Sequence, residues 1–309
     1  MSPSLLQCLS HRIPYLRRRA ALLRALREFF QQAGFTEIET PLLLTTVAPE
    51  EHIVPVGVGG AFLATSPELQ MKQLVAAGLA PIYQLGRSFR AGEQGRRHSP
   101  EFALLEWYRF GVSIDPLVAD LEGLFGHLAS ALLDAQWLPW QGQRVDLTAP
   151  WPVTPVRDAF MRHAGWDPVA DFDAERFNID LVNLVEPQLG RGRPEVLAWY
   201  PVELGSLSRV HPEDQRLSQR LELYVEGLEL ANGFVELNDP VEQRQRFVRE
   251  RQAILAAGRE PPPMPESFLD TLSELPDTVG IALGIDRLVM LFCDVDDIGS
   301  VRAFGPGEA

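Results

Sequence analysis

The stretch Phe89 to Tyr108, FRAGEQGRRHSPEFALLEWY, packs an arginine, a cationic run, a histidine, a proline and an apolar segment into one readable order. Phe102 to Tyr108 (FALLEWY) reads as a buried strand and Leu85 to Arg90 as another, joined by the polar loop Ala91 to Pro100. The pair forms a long hairpin whose loop carries Arg90, Arg96, Arg97 and His98. A loop folded back over its sheet would bring guanidinium groups onto an anion, and arginine suits bidentate phosphate recognition better than lysine. Arginine-rich loops are also often merely solvated, so the hairpin alone leaves both readings open.

On its N-terminal side, Leu16 to Ala33 repeats apolar residues at helical spacing (Leu16, Ala20, Leu23, Leu26, Phe30), and Gly34 follows as a stop signal. GFTEIETPLL (Gly34 to Leu43) then alternates as a strand ended by Pro41, which belongs at an edge or a subunit boundary because it cannot donate to a ladder. Gly57, Gly59 and Gly60 lie between short apolar runs in Ile53 to Ala64. They predict a hairpin turn rather than a dinucleotide loop, since no third glycine opens a helix. TSPELQMKQLVAAG (Thr65 to Gly78) predicts a helix with Ser66 as N-cap, Pro67 at its first position and Glu68 in its first turn. Glu68 there serves the helix dipole even if it serves nothing else.

On the C-terminal side, Asp115 to Leu133 reads as a helix, and Thr148 to Gly192 as further short helices and loops. Leu197 to Val202 (LAWYPV) reads as a strand. Glu222 to Leu237 (ELYVEGLELANGFVEL) alternates, with Gly227 and Gly233 at turn or close-approach positions. Glu229 and Glu236 flank Asn232 in it. Their odd spacing sends them to opposite faces of one continuous strand, unless a turn or bulge near Gly233 brings them together. Val241 to Ala257 is a charged helix and Gly258 to Pro265 a proline-rich surface loop. The strand Val279 to Gly284 runs into a helix opened by Ile285, Asp286 and Arg287, where a helix N-terminus and Arg287 can hold an anion together.

With 309 residues, 46% of them hydrophobic, the chain is long enough for one dominant core. Cys8 and Cys293 stand far apart without metal spacing, which argues against zinc and against a disulfide framework. No run reaches the roughly 18 apolar residues of a membrane span, and the N-terminus has no apolar signal core, so the expectation is a cytoplasmic chain without a membrane. A formal charge of −14 disfavours a broad nucleic-acid surface but leaves room for a small basic nucleotide pocket.

Three separated pieces together resemble the class II aminoacyl-tRNA synthetases. GFTEIETPLL is similar to that class's first motif, a dimer-forming helix and strand. FRAGEQGRRHSPEFALLEWY is similar to its second, a strand-loop-strand that begins with an ATP-binding arginine. GIALGIDRL (Gly280 to Leu288) is similar to its third, a strand and helix whose arginine also holds ATP. TSPELQMKQL, the HSPEF to EWY segment and ELANGFVELND resemble the lysyl branch, and the likeness covers roughly residues 12 to 304. Lysyl-tRNA synthetases carry an anticodon-gripping OB-fold ahead of this core, whereas here the first motif's helix starts almost at once. With the acidic balance and the WYR ending of the second motif, the chain resembles the paralogous family of ligases that lysylate a protein, elongation factor P.

The resemblance implies an α+β fold: a single class II catalytic domain over 1–309, mostly antiparallel sheet flanked by helices, with a helical insertion near 115–195, working as a homodimer. It implies an enzyme that activates (R)-β-lysine or lysine with ATP and Mg²⁺ as an adenylate, then passes the acyl group to a lysine of elongation factor P, without stable tRNA binding. Arg90 and Arg287 would clamp the ATP phosphates, His98 would sit by the γ-phosphate, and Phe102 would stack on adenine. Leu230 and Gly284 would line the nucleotide, and Glu229 and Glu236 would hold Mg²⁺. Ser66, Glu68, Glu106, Tyr108, Asn232 and Glu236 would face the amino acid. Three positions depart from the synthetase pattern. Gly92 stands where a glutamate is usual, with Glu93 next to it as the candidate adenine contact. Ser99 replaces the usual asparagine in the nucleotide site. Ala282 replaces the glycine of lysyl-tRNA synthetases, as in the protein ligases, and belongs with the substrate contacts. Two rivals remain at this point, a minimal lysyl-tRNA synthetase and a non-catalytic synthetase-like regulator.

Overall fold

The computed structural model describes residues 5–305 and 308. The chain opens on α1 (Leu5–Gln32) and, after Gly34 in a left-handed turn, the short β1 (Thr36–Glu37). Strands β2 (Leu43–Leu44), β3 (Gly57–Val58) and β4 (Ala61–Leu63) make a small separate sheet, with the expected tight turn at Gly59 and Gly60, both at positive φ. Helix α2 (Glu68–Ala76) precedes the long hairpin β5 (Ile82–Phe89) and β6 (Glu101–Phe110). Helix α3 (Asp115–Leu133), the hairpin β7 (Trp137–Trp140) and β8 (Gln143–Asp146), β9 (Val153–Pro155), α4 (Val156–His163) and α5 (Ala174–Asp180) follow. The last third holds β10 (Glu195–Pro201), β11 (Leu217–Val225), β12 (Leu228–Val235), α6 (Pro240–Ala256), α7 (Glu266–Thr271), β13 (Thr278–Gly284) and α8 (Ile285–Cys293).

Eight strands form the main sheet in the order β1-β5-β6-β13-β12-β11-β10-β9. The two outermost pairings are parallel and the inner ones antiparallel, which is the α+β arrangement expected. Alternation divides the two faces. Leu105 and Trp107 on β6, Ile281 and Leu283 on β13, and Leu221 and Leu223 on β11 enter one core with α1, α3 and α8. The register puts Glu106 opposite Ala282, and Ala282 opposite Asn232, on the other face. That second face is open to the site.

Helix α1 buries Leu22, Ala25, Leu26 and Phe30 at helical spacing. Phe30 stacks on Tyr83 at 4.6 Å and meets Trp107 edge-on at 5.4 Å. The helix starts well before Leu16 and runs through Pro14. Arg12 ties this extension to Glu308, and further along the helix Arg19 pairs with Asp286 at the start of α8.

Three expectations are corrected. GFTEIETPLL is not one strand. Only Thr36 and Glu37 pair with β5, after which Ile38 donates to the Tyr83 carbonyl and Thr40 to the Gln84 side chain. Ser66 caps α2 from one residue further out than expected, its hydroxyl accepting from the Glu68 amide at 3.0 Å, because the helix begins at Glu68. The region near 115–195 is not simply a helical insertion. α3 is a core helix, β7 and β8 make a hairpin, and β9 extends the main sheet beside β10. α3 is the one helix among the described residues long and apolar enough to cross a membrane. Its leucines at 117, 121, 124 and 128 are nevertheless fully enclosed by the core, and its Asp120 pairs with Arg109 at 2.6 Å.

Candidate active site

A cavity of about 340 Å³ lies on the open face of the sheet, under the β5–β6 loop and beside the start of α8. Its one end is cationic. β13 leads into α8 at Gly284, and Asp286, buried in the first turn, accepts from Arg19 at 2.6 Å and from the Ala103 amide at 3.0 Å. That anchoring fixes where the next residue points. Arg287 donates to the Glu229 carbonyl at 2.7 Å and its carboxylate at 3.3 Å, and a second guanidinium nitrogen lies 2.6 Å from His98 Nε2. Burial and the Arg287 charge lower the His98 pKa, favouring a neutral ring that accepts from Arg287.

Arg90 reaches the same space from the end of β5. It donates to the Thr65 carbonyl at 3.3 Å and lies over the Phe102 ring at 5.1 Å, with Glu93 at 3.7 Å. Thus Arg90, Glu93, His98, Phe102, Gly284 and Arg287 all line the cavity, as does Leu230. Gly92 sits at φ +81° beside Glu93, a left-handed turn that suits glycine at the loop tip. The loop is braced from the C-terminal segment by Arg96 to Asp296 at 2.6 Å and by the Ile298 amide donating to the Arg96 carbonyl. Ser99 lines the same cavity. Its side chain is buried at the cavity's edge and accepts from Arg302, which leaves its O–H free to donate.

The other end is acidic and drier. Ser66, Glu68, Glu106, Asn232 and Ala282 line it together, as the sequence suggested, along with Glu50, which the sequence did not single out. Burial and the Glu68 carboxylate push Glu106 up to about 8. Burial and the same carboxylate bring Glu50 to about 7. The Asn232 Oδ1 is enclosed and has no protein partner, which equips it to accept from a bound donor. Tyr108 and Glu236 do not line the cavity. They lie one layer behind, 3% and 1% exposed. Tyr108 donates to Glu106 at 3.3 Å, and its ring fills the space over Gly280, where a Cβ would lie 2.2 Å from the ring. Glu236 is paired with Lys72 at 2.5 Å.

β11 and β12 form a hairpin turning at Glu226 and Gly227, both at positive φ. The register slips between Leu223 and Tyr224, whose partners are Ala231 and Glu229, leaving Leu230 as the extra residue of a bulge. Leu230 and Ala231 both enter the core, and Glu229 consequently shares the cavity face with Asn232 and Glu236. The bulge lies at Leu230, not near Gly233. Sharing a face does not bring Glu229 to Glu236, because six regular steps at about 3.3 Å leave them roughly 20 Å apart along the strand. The expected Glu229–Glu236 metal pair is therefore corrected. The acid beside Glu229 is Glu222, one strand over, which accepts from Tyr200 at 2.5 Å, Tyr224 at 2.7 Å and Arg220 at 2.6 Å. Burial first, then the Glu222 charge, raises the Glu229 pKa. Burial, Glu229 and Glu222 bring Glu186 to about 7. Mutually repelling carboxylates of this kind suit a cation. Among the described residues no three His, Cys, Asp or Glu side chains converge on one point. Mg²⁺ prefers one or two carboxylates with substrate phosphates completing its shell, and Glu229, on the cavity wall, suits that role, with Glu222 buried behind it and held by Arg220, Tyr200 and Tyr224.

The family model of class II tRNA synthetases (D, K and N) matches residues 10–307. The chain belongs to this family. Within it, the chain is 37% identical to the elongation factor P–(R)-β-lysine ligase of Erwinia tasmaniensis, over 94% of this chain and 95% of that protein. The ligases of the same name from Klebsiella pneumoniae and Salmonella typhi are each 36% identical over the same shares. A class II family member uses ATP.

Sequence reasoning missed Lys72, Glu222 and Glu50. Lys72 carried a signal, one helical turn after Glu68. Glu222 also carried one, since a strand turning at Glu226 and Gly227 folds it beside Glu229. Glu50 sits in irregular chain between β2 and β3, where no periodicity points anywhere.

Proposed function

We propose that the protein is an ATP-dependent ligase that activates (R)-β-lysine, or lysine, as an aminoacyl-adenylate and transfers the acyl group to a lysine of elongation factor P. The single observation that carries this reading is one cavity with Arg90, His98 and Arg287 at one end and Glu68, Glu106 and the unpartnered Asn232 Oδ1 at the other. Such a cavity suits a polyphosphate beside a cationic amino acid. The names of the relatives point the same way.

In the first step the amino-acid carboxylate attacks the α-phosphorus and pyrophosphate leaves in line. Arg90 and Arg287 offset charge on the phosphates, and neutral His98 orients Arg287. Glu106 and Glu68 take the substrate's ammonium, with Asn232 accepting beside them. In the second step a lysine amine of the acceptor attacks the adenylate carbonyl, losing a proton as AMP departs. Positioning supplies most of the rate, with no covalent enzyme nucleophile. Glu229 would hold Mg²⁺, with Glu222 behind it adding negative charge, and the ion would supply charge neutralisation to the phosphates.

A protein acceptor fits the formal charge of −14, which opposes a polyanionic tRNA within about a Debye length of 8 Å at physiological salt. A translation factor as acceptor puts the enzyme in the cytoplasm. Arg96 and Arg97, on the exposed loop, would guide an acidic partner despite the overall charge. The test is amino-acid-dependent ATP–pyrophosphate exchange, followed by intact-mass spectrometry of elongation factor P beside an acid-precipitation assay on total tRNA. The expected result is one modified lysine and uncharged tRNA. Charged tRNA with an unmodified factor favours the minimal synthetase, and absent exchange favours the regulator. The homodimer belongs to the same proposal. Leu42 and Leu43, next to Pro41, are 42% and 57% exposed, an apolar edge suited to a two-fold contact. Light scattering that finds only monomer at micromolar concentration removes it.

A further inference from the structure

The second turn of α2 places a lysine in an apolar setting. Its neighbours Met71 and Val75 are fully buried, and Lys72 itself is 1% exposed. A buried ammonium is tolerated only when paired. Lys72 has two partners from different elements, Glu68 Oε1 one turn back at 2.6 Å and Glu236 Oε2 beyond the end of β12 at 2.5 Å. Burial opposes its charge, but the two carboxylates outweigh burial and raise its pKa, so the ammonium stays charged.

The three groups are stacked in depth. Glu68 reaches the cavity wall, whereas Lys72 and Glu236 lie behind it. Glu236 packs over the bare face of Gly280, where a Cβ would lie 2.4 Å from its Oε1. Lys72 therefore ties a carboxylate at the wall to one fixed in the sheet. Its charge also works against the burial that raises the Glu236 pKa to about 8. Without the lysine, Glu68 loses its tether, and no cation stands between it and Glu236.

Resting on the reading that this end binds an amino-acid ammonium, we infer that Lys72 is a positioning residue for amino-acid selection: it anchors Glu68 to Glu236 and sets the charge the pair presents to the substrate. It touches no reacting atom.

The experiment is pyrophosphate exchange with Lys72→Met, Lys72→Gln and Lys72→Arg, with lysine and (R)-β-lysine varied separately from ATP, alongside thermal unfolding. The Met and Gln variants are expected to raise the amino-acid KM by about tenfold or more, the scale of a lost charged hydrogen bond, while the ATP KM stays within about twofold. The Arg variant, which restores the charge, should recover part of the loss. A folded Met or Gln variant with the wild-type amino-acid KM overturns the inference, as does an equal rise in the KM for ATP. If Met and Gln variants both fail to fold, the lysine serves the fold alone and the inference falls. Wild-type protein without exchange on either amino acid sinks the functional reading instead, a result distinct from an active wild type with an indifferent Lys72.

Discussion

The two ends of the cavity are built by different means. The cationic end hangs on a loop and a helix N-terminus, with Arg90, Arg96 and Arg97 partly or largely exposed, Arg90 held by a carbonyl and Arg96 by a surface carboxylate. The acidic end is set into adjoining strands and the first turns of α2, with Glu106, Glu236 and Lys72 almost wholly enclosed. A triphosphate brings its own charge and takes cations that can adjust. An ammonium chosen by its position needs acids that cannot. Activation and selection are therefore separable here, and mutations should divide along that line.

The largest effect is expected at the cationic end. Arg287→Ala removes a guanidinium aimed at developing phosphate charge and should lower exchange by about 10²–10³-fold, the usual cost of losing one such group. Its measurement is single-turnover adenylate formation at saturating amino acid. A loss confined to the amino-acid KM would contradict the division. Arg287→Lys should not rescue, because one ammonium cannot contact Glu229 and His98 as the planar fork does.

Next come Glu222 and Glu236, the acid that strand pairing sets near Glu229 and the acid that the sequence paired with it. Glu222→Gln should raise the Mg²⁺ concentration needed for half-maximal exchange by about 10- to 100-fold, the scale for losing support around a metal. Glu236→Gln should leave the Mg²⁺ requirement unchanged and raise the amino-acid KM. A Mg²⁺ titration of both variants decides it. If Glu236→Gln shifts the Mg²⁺ requirement and Glu222→Gln does not, the metal pairing drawn from the hairpin is wrong.

This pair also marks where the sequence stopped being readable. The cationic end was legible because each of its groups lies in a contiguous stretch: Arg90, His98 and Phe102 in one hairpin, Gly284 and Arg287 in one strand-helix junction. The inner strands were legible too, since their alternation and turn glycines are local. What failed depended on a single inserted residue. The Leu230 bulge decides which face Glu229 takes, and no residue type at that position announces it. Register across strands then decides that Glu222, rather than Glu236, is its neighbour. The partner of Ser99 was hidden for a similar reason, as Arg302 lies 203 residues away.

Enclosure of the acidic end should show in the pH dependence of stability. Glu106 sits at about 8, above an ordinary 4.5, because burial and Glu68 oppose its ionisation. Between those values the folded protein holds a proton that the unfolded chain has released. Its contribution is therefore complete below about 4.5, declines as pH rises and is gone above about 8, at a rate of about 1.4 kcal/mol for each pH unit crossed. Glu50 and Glu236, at about 7 and about 8, act in the same direction. The ligand-free Tm should fall as pH rises across this window, and Glu106→Gln should fall less steeply. Equal slopes would mean that Glu106 is ionised in the free protein. Calorimetry of amino-acid binding in buffers of different ionisation enthalpy should also detect proton release below about pH 8, since a bound ammonium favours the charged carboxyl.

The smallest effect concerns Ala282, and it probes the division most finely because it carries no charge. β13 alternates Gly280, Ala282 and Gly284 on the cavity face, and each faces a different demand. Gly280 has no room for a Cβ against Tyr108, whereas Gly284 has nothing closer than 3.8 Å to the position of one. Ala282 lies between Glu106 on β6 and Asn232 on β12, so its methyl stands between the two groups assigned to the substrate's ammonium. Ala282→Gly deepens the floor by one methyl without touching the acids. Discrimination on that scale runs to about 1–3 kcal/mol, and a partly exposed methyl belongs at the low end, near about 1 kcal/mol or fivefold. The expected outcome is a shift of the exchange ratio toward lysine over (R)-β-lysine, with the ATP KM unchanged. An unaltered ratio would take the methyl out of selection and leave it to the acids alone. A shift accompanied by a changed ATP KM would show that the two ends communicate through β13, and the separation between activation and selection would then hold for the charged groups but not for the sheet that carries them.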